Sequence, residues 1–128
     1  MLEPLQRRVT EALKTETAVT LSTTGPGGIQ AGFFPCEAEA LTLYLLVPAS
    51  SDVVFNLETE TAVVVTTPRW QMEGQAEMCA LSQAQPDLKL VQSPRAAGCV
   101  LVVVHCQRIH FNWTEGWGYQ ETIDCNGR

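Results

Sequence analysis

The first apolar pattern along the chain has the period of a helix. Leu5, Val9, Ala12 and Leu13 are separated by four, three and one residues, so they form one stripe on a helix over residues 3–14. A proline near the start of this segment suits a first helical turn, where its missing N–H costs nothing. We therefore predict an amphipathic helix that packs one face against the rest of the chain.

After this helix the pattern changes to short runs rich in β-branched residues, which are typical of strands. Residues 18–24, 29–36 and 41–47 predict three strands at roughly ten-residue spacing, with an acidic bend at 37–39. The glycine-rich run at 25–28 predicts a hairpin turn between the first two strands, not a phosphate-binding loop. The third run is almost wholly apolar, as in a strand covered on both faces.

A short helix is predicted after the third strand. Ser50 or Ser51 can cap its N-terminus, and the helix ends near Glu58 with its apolar side chains facing inward. The tail after residue 111 has no pattern that assigns it to an element.

Three more strands follow this helix. Residues 62–67, 70–79 and 99–111 carry their pattern, and residues 81–98 predict a loop or a short helix. Gly74 in the middle of the fifth strand predicts a bulge or a close approach of backbone.

The order of these elements predicts the fold class. Six strands in 128 residues would leave exposed edges in an open sheet, which favours a small closed barrel. We predict one mainly β domain spanning residues 1–128, with a helix at 3–14, barrel strands within about 18–111, and a tail at 112–128.

Composition and charge exclude several classes of protein. Hydrophobic residues make up 45% of the chain and charged residues 17%, so a packed core is expected and disorder is not. Eight basic against 14 acidic residues give a net charge of −6, which argues against nucleic acid and anionic membrane as partners. With no apolar run of membrane-spanning length and no secretory signal pattern, we expect a cytoplasmic protein.

The five cysteines do not predict a disulfide framework, because their number is odd and their spacing is wide. We interpret most of them as small buried apolar residues. A zinc site from Cys106, His110 and Cys125 is conceivable, but it lacks the close ligand pairs of such sites, and we predict no metal.

Few side chains suggest catalysis by themselves, and we assign no catalytic residue. His105 and His110 are five residues apart, which places them on opposite faces of a regular strand. Glu73 and Glu77 share one strand face and are predicted to face solvent.

Several segments resemble the pyridoxamine 5′-phosphate oxidase-like, FMN-binding split-barrel family. They are Leu-Ser-Thr-Thr-Gly-Pro-Gly-Gly at 21–28, Leu-Tyr-Leu-Leu-Val-Pro-Ala-Ser-Ser at 43–51, Asn56-Leu57, and Trp-Gln-Met-Glu-Gly-Gln-Ala-Glu at 70–77. The resemblance covers about residues 5–111. It implies a six-stranded split β-barrel with short flanking helices that forms a homodimer, with flavin mononucleotide (FMN) in each of two clefts at the interface.

The resemblance also implies a set of cofactor-binding residues. Backbone groups of the second strand would pass along the flavin ring, serines at the short helix would meet the phosphate, and other side chains would lie near the ring. These residues are Gly32, Phe33, Phe34 and Pro35 along the ring, Ser50 and Ser51 at the phosphate, Asn56 at the end of the helix motif, and Trp70 and Gln71 near the ring. Trp113 and Trp117 could line the same slot together with Phe33, Phe34 and Trp70, or these aromatic residues could simply pack in the core or a dimer interface.

The chain departs from the family at the phosphate. Lys or Arg is expected in the short-helix segment, but no basic residue occurs between Lys14 and Arg69, and Asp52 stands in the first turn. Losing two charge-assisted hydrogen bonds costs about 3–6 kcal/mol of binding free energy. True pyridoxamine phosphate oxidation is therefore not expected, since its substrate brings a further phosphate.

Three functions stay open at this point. The chain could be an FMN-binding oxidoreductase of unknown substrate, a flavin-free barrel that serves as a non-catalytic binding or interaction module, or a barrel that holds another flat cofactor such as haem or a deazaflavin. The first needs no catalytic side chain, because the cofactor carries the chemistry.

Overall fold

The computed structural model describes residues 4–84, 87–112 and 119–125, without the side chains of residues 119 and 120. Its elements are α1 Pro4–Lys14, β1 Ala18–Thr23, β2 Gln30–Glu39, β3 Thr42–Pro48, α2 Asp52–Leu57, β4 Ala62–Thr66, β5 Trp70–Cys79, β6 Cys99–Asn112 and β7 Tyr119–Asp124, with short 3-10 turns at Leu81–Gln83, Leu90–Gln92 and Pro94–Ala96. Within these residues, no helix is long and apolar enough to cross a membrane.

Six of the strands close into an antiparallel barrel. They follow the order β3-β2-β1-β4-β5-β6, and the first half of β6 pairs back onto β3. The predicted split-barrel fold with short flanking helices is therefore confirmed. β7 pairs with the second half of β6 and adds a seventh strand that the sequence did not predict.

The barrel interior is the main hydrophobic core. Strand β1 points Val19 and Leu21 inward, and both are buried together with Val65 and Met72 from β4 and β5. The stripe predicted for α1 belongs to the same cluster through Val9 and Leu13. Burying such a side chain contributes about 1.5–3 kcal/mol, so the helix is part of the core and not an appendage.

A second cluster covers one side of the barrel from the outside. Leu88 and Ala96 of the β5–β6 connector pack on Leu46, Leu101 and Val103 of β3 and β6. The first half of β6 is thereby buried on both faces. The outward side chains of β1, β4 and the first half of β2 have no such cover and are half-buried or exposed.

Strand β2 is longer than predicted. It continues through Glu39, so the acidic bend expected at 37–39 is wrong, and the chain turns at Ala40 with a positive φ of 53°. One physical reason is that the Glu37 carboxylate accepts a hydrogen bond from the Leu90 backbone N–H at 3.0 Å. The acidic side chain is thus held by the connector rather than by solvent at a turn.

The irregularity expected at Gly74 is confirmed. A Cβ at Gly74 would lie 2.7 Å from Val104 Cγ1 and 2.8 Å from the His105 carbonyl oxygen, so only glycine fits this approach of β5 to β6. The register shifts at the same place, and Gln107 of β6 has no partner on β5. Because this bulge adds one residue, His105 and His110 lie on the same outer face, and their predicted placement on opposite faces is wrong.

The cysteines correct another expectation. Cys106 and Cys125 form a disulfide that joins β6 to the end of β7, so these two are not free buried thiols or zinc ligands. Cys36, Cys79 and Cys99 are free, and among them only Cys36 is buried. The pairing depends on β7, whose existence the sequence pattern did not reveal.

Candidate functional site: an open face of the barrel

The uncovered outer surface of β2, β1, β4, β5 and β6 carries side chains in lateral rows. The strand register places one row across five strands, and a second row lies beside it. We call this surface the open face, and its residues are Phe33, Thr20, Thr66, Gln71 and His110 in the first row and Ala31, Ser22, Val64, Glu73 and Arg108 in the second.

The centre of the open face is flat, and the face contains both polar and apolar side chains. Its centre consists of hydroxyl and small apolar side chains, Thr20, Ser22, Val64 and Thr66, which project little from the sheet. Phe33, 72% exposed, stands at one edge, and His110 stands at the other. Such a surface can accept a planar ring or the same surface of a second copy of the chain.

The predicted residues of β2 divide between the two sides of the barrel wall. Phe33 and Pro35 alternate outward, whereas Gly32 and Phe34 pair with inward-facing Leu21 and Val19 of β1. The Phe34 ring lies against Gly32, where a Cβ would be 2.4 Å from Cζ of that ring. Gly32 therefore makes room for a core aromatic ring.

Asn56 has a structural role in the short helix. It is 0% exposed, its Oδ1 accepts from the Gly27 N–H at 3.0 Å, and its Nδ2 donates to Thr23 Oγ1 and to the Gly28 carbonyl at 3.2 and 3.0 Å. Both Nδ2 hydrogens are thereby used. The side chain ties α2 to the β1–β2 turn.

The start of α2 presents two serines and no basic side chain. Ser51 is the N-cap, and its hydroxyl accepts from the Val53 N–H at 3.1 Å, while Ser50 is exposed. The first turn contains Asp52 and no basic residue.

The nearest basic residue in the chain after this helix does not alter that picture. Arg69 is paired with Glu16 at 2.9 Å. The first turn of α2 thus offers the phosphate of FMN no basic side chain, whereas the centre of the open face presents short side chains to a planar ring.

Trp70 and Gln71 face opposite sides of β5. Gln71 belongs to the open face, whereas Trp70 is 1% exposed and lies in the core. Among the described residues, the Trp70 indole Nε1 has no hydrogen-bond partner, and the ring borders a cavity of about 340 Å³ with Ala12, Arg69 and Phe111. Trp113 and Trp117 lie outside the described residues.

Cys36, the buried free cysteine, is not a nucleophile at neutral pH. Burial, and secondarily the negative charge of Glu16, raises its pKa to about 12. The thiol therefore stays protonated, as expected of a small core residue.

Sequence reasoning missed two Glu–His pairs on the outer surface. His110 Nε2 lies 2.7 Å from Glu73 Oε2, and His105 Nε2 lies 3.3 Å from Glu77 Oε1. Spacing alone could not reveal them, since both pairs depend on the register of β5 against β6 across the bulge.

Comparison with known proteins supports the fold. The sequence matches no protein-family model and no curated protein. Among solved structures, one similar chain is a protein of the pyridoxinephosphate oxidase family from Clostridium acetobutylicum that is related to general stress protein 26 of B. subtilis. It has 12% identity and a TM-score of 0.64, with 96% of this chain and 94% of that chain covered.

Two further similar structures are of proteins described as cofactor-binding. A haem-binding protein from Mycobacterium smegmatis has 14% identity and a TM-score of 0.67, with 99% of this chain and 61% of that chain covered. An FAD-binding protein from Mesorhizobium loti has 15% identity and a TM-score of 0.56, with 84% and 92% covered. The chain has the split-barrel fold of pyridoxamine 5′-phosphate oxidase-like proteins.

Proposed function

We propose that this chain is a cytoplasmic, homodimeric split-barrel oxidoreductase that binds a flavin by its ring on the open face. The observation that carries the proposal is the lateral row from Phe33 to His110, which spans five strands without cover. The likeness to FAD-binding and pyridoxinephosphate oxidase-family structures supports a flavin as the planar ligand. A bound flavin would supply the redox chemistry.

The proposed site holds the ring and not the phosphate. Its centre offers hydroxyl groups and short apolar side chains, while α2 offers an acidic first turn and an occupied cap. We therefore expect riboflavin and FMN to bind with dissociation constants within about threefold of each other, since a charge-assisted phosphate contact would separate them by tenfold or more.

The test is a titration of purified protein with riboflavin and with FMN, in which binding is measured by the quenching of flavin fluorescence. Thr66→Trp should block the centre of the open face and abolish binding, while Ser82→Trp, an exposed position on the connector, should not. Ser50→Ala should leave FMN affinity unchanged. FMN binding at least thirtyfold tighter than riboflavin would show that a phosphate grip exists.

A second candidate is a barrel that holds no flavin and acts as a non-catalytic binding module. The missing basic residues at α2 favour it. A protein that stays colourless with both flavins, yet is a dimer, would support this candidate. A Soret band after addition of haem would instead indicate haem as the flat ligand, and retention of an added deazaflavin would indicate that class.

A further inference from the structure

A pocket lies at the end of the open face, beside the β1–β2 turn. Its volume is about 340 Å³, which is within the range of small-ligand sites. Ile29, Ala62, Val63 and Val64 supply apolar walls, and Glu73 supplies a carboxylate. No Lys or Arg is among the described residues that line it.

Glu73 is held in place by a chain of hydrogen bonds across three strands. His110 Nε2 lies 2.7 Å from Glu73 Oε2, and His110 Nδ1 lies 2.8 Å from Thr122 Oγ1 on β7. The His110 side chain is 14% exposed and is fixed at both ring nitrogens. An ionised carboxylate only accepts hydrogen bonds, so Nε2 donates to Glu73.

The backbone beneath the carboxylate is also specialised. The bulge falls between Glu73 and Gly74, and Gly74 itself lines the pocket. Bulges of this kind re-aim a side chain. Arg108, the register neighbour of Glu73 on β6, forms no ion pair with it within the described residues. His110 is therefore the positioning residue for a carboxylate that lacks a strong permanent counter-charge.

We propose that this pocket binds a small organic cation, with an ammonium or amidinium head on Glu73 and an apolar body against β4. A cation is favoured because no Lys or Arg is among the described residues that line the pocket and because the chain carries a net charge of −6. Ser22, Val64 and Glu73 belong both to this pocket and to the second row of the open face, so a flavin that covered this row would compete with the cation.

The experiment compares benzylamine with benzoate, which share a ring and differ in the sign of the charge. Each is titrated into untagged protein as isolated, and imidazole ¹⁵N shifts are recorded by NMR. The chain has only two histidines, so His105 with Glu77 is an internal control for His110 with Glu73. We expect benzylamine to bind with a millimolar dissociation constant and to shift the His110 ring nitrogens, leaving His105 unchanged.

Glu73→Gln should raise the dissociation constant of benzylamine at least tenfold, and the matched Glu77→Gln should leave it unchanged. His110→Gln should raise it by a smaller factor. Benzoate binding as tightly as benzylamine, or equal shifts at both histidines, would overturn the proposal. Both readouts come from the unmodified protein, so they decide the matter even if Glu73→Gln does not fold.

Discussion

At the residue scale, one buried side chain connects a helix to a turn at the end of the barrel. Asn56 joins helix α2 to the β1–β2 turn through three hydrogen bonds, all made by one side chain with 0% exposure. The turn fits tightly around it, since a Cβ at Gly25 would lie 2.8 Å from Asn56 Oδ1. The family resemblance implies that Asn56 contacts a cofactor. In the structure, its side-chain amide instead holds a helix and a turn together.

Asn56→Ala should lower the free energy of unfolding by about 3 kcal/mol, since the three hydrogen bonds of this buried side chain are lost. Urea denaturation measures the change. Asn112→Ala is the control, because that side chain makes one exposed hydrogen bond to the Pro68 carbonyl and should cost less than about 1 kcal/mol. Equal losses in both variants would contradict the role given to Asn56.

At the scale of elements, β7 is attached by contacts of several kinds, including Ile123 in the main core. It pairs with β6, the Arg8–Glu121 ion pair joins it to α1, and the Cys106–Cys125 disulfide fixes its end. In a reducing cytoplasm this bond would be open for part of the molecules. We therefore expect reduction of the disulfide to loosen the end of the strand that carries Thr122.

The double variant Cys106→Ser/Cys125→Ser should lose about 3 kcal/mol of stability, because the disulfide closes a loop with a sequence separation of 19. Thermal melts with and without dithiothreitol measure this loss. Dithiothreitol should lower the melting temperature of the unmodified protein and leave that of the double variant unchanged. Cys79→Ser/Cys99→Ser removes two free thiols and keeps the disulfide, so it should show the same dithiothreitol shift as the unmodified protein, and loss of that shift in this variant would contradict the assignment.

The elements also show what sequence pattern can and cannot reveal. The β-branched runs and the Ser51 cap predict most strands and α2, because burial alternates with the strand period. The sequence pattern cannot predict on which face of the sheet His110 lies or which cysteine pairs with Cys125. The first depends on one extra residue at Gln107, and the second depends on β7, which follows a tail without a clear pattern.

At the scale of the whole molecule, the barrel is covered unevenly. The connector covers β3 and the first half of β6, while the open face keeps Phe33 exposed at its edge. An exposed aromatic ring beside a flat sheet surface is typical of an interface. We expect a second copy of the chain to cover it.

Phe33→Glu should convert the proposed dimer into a monomer, because it would place an unpaired carboxylate in the apolar part of the proposed interface. Size-exclusion chromatography with light scattering measures the mass. Leu5→Glu replaces another exposed apolar residue, on α1, and should leave the mass unchanged. A wild-type chain that stays monomeric and folded at high concentration would exclude the dimer.

The double pairing of β6 has a consequence for how the chain is made. This strand closes the barrel by pairing with β3, and it also pairs with β5 and β7. None of these three pairings can form before residues 99–112 have been synthesised. During synthesis from the N-terminus, β1 to β5 leave the ribosome while the edges of β3 and β5 have no neighbour. Unpaired edges of this kind join other chains. The growing polypeptide is thus most exposed to aggregation, and most dependent on chaperones, just before its last quarter is translated.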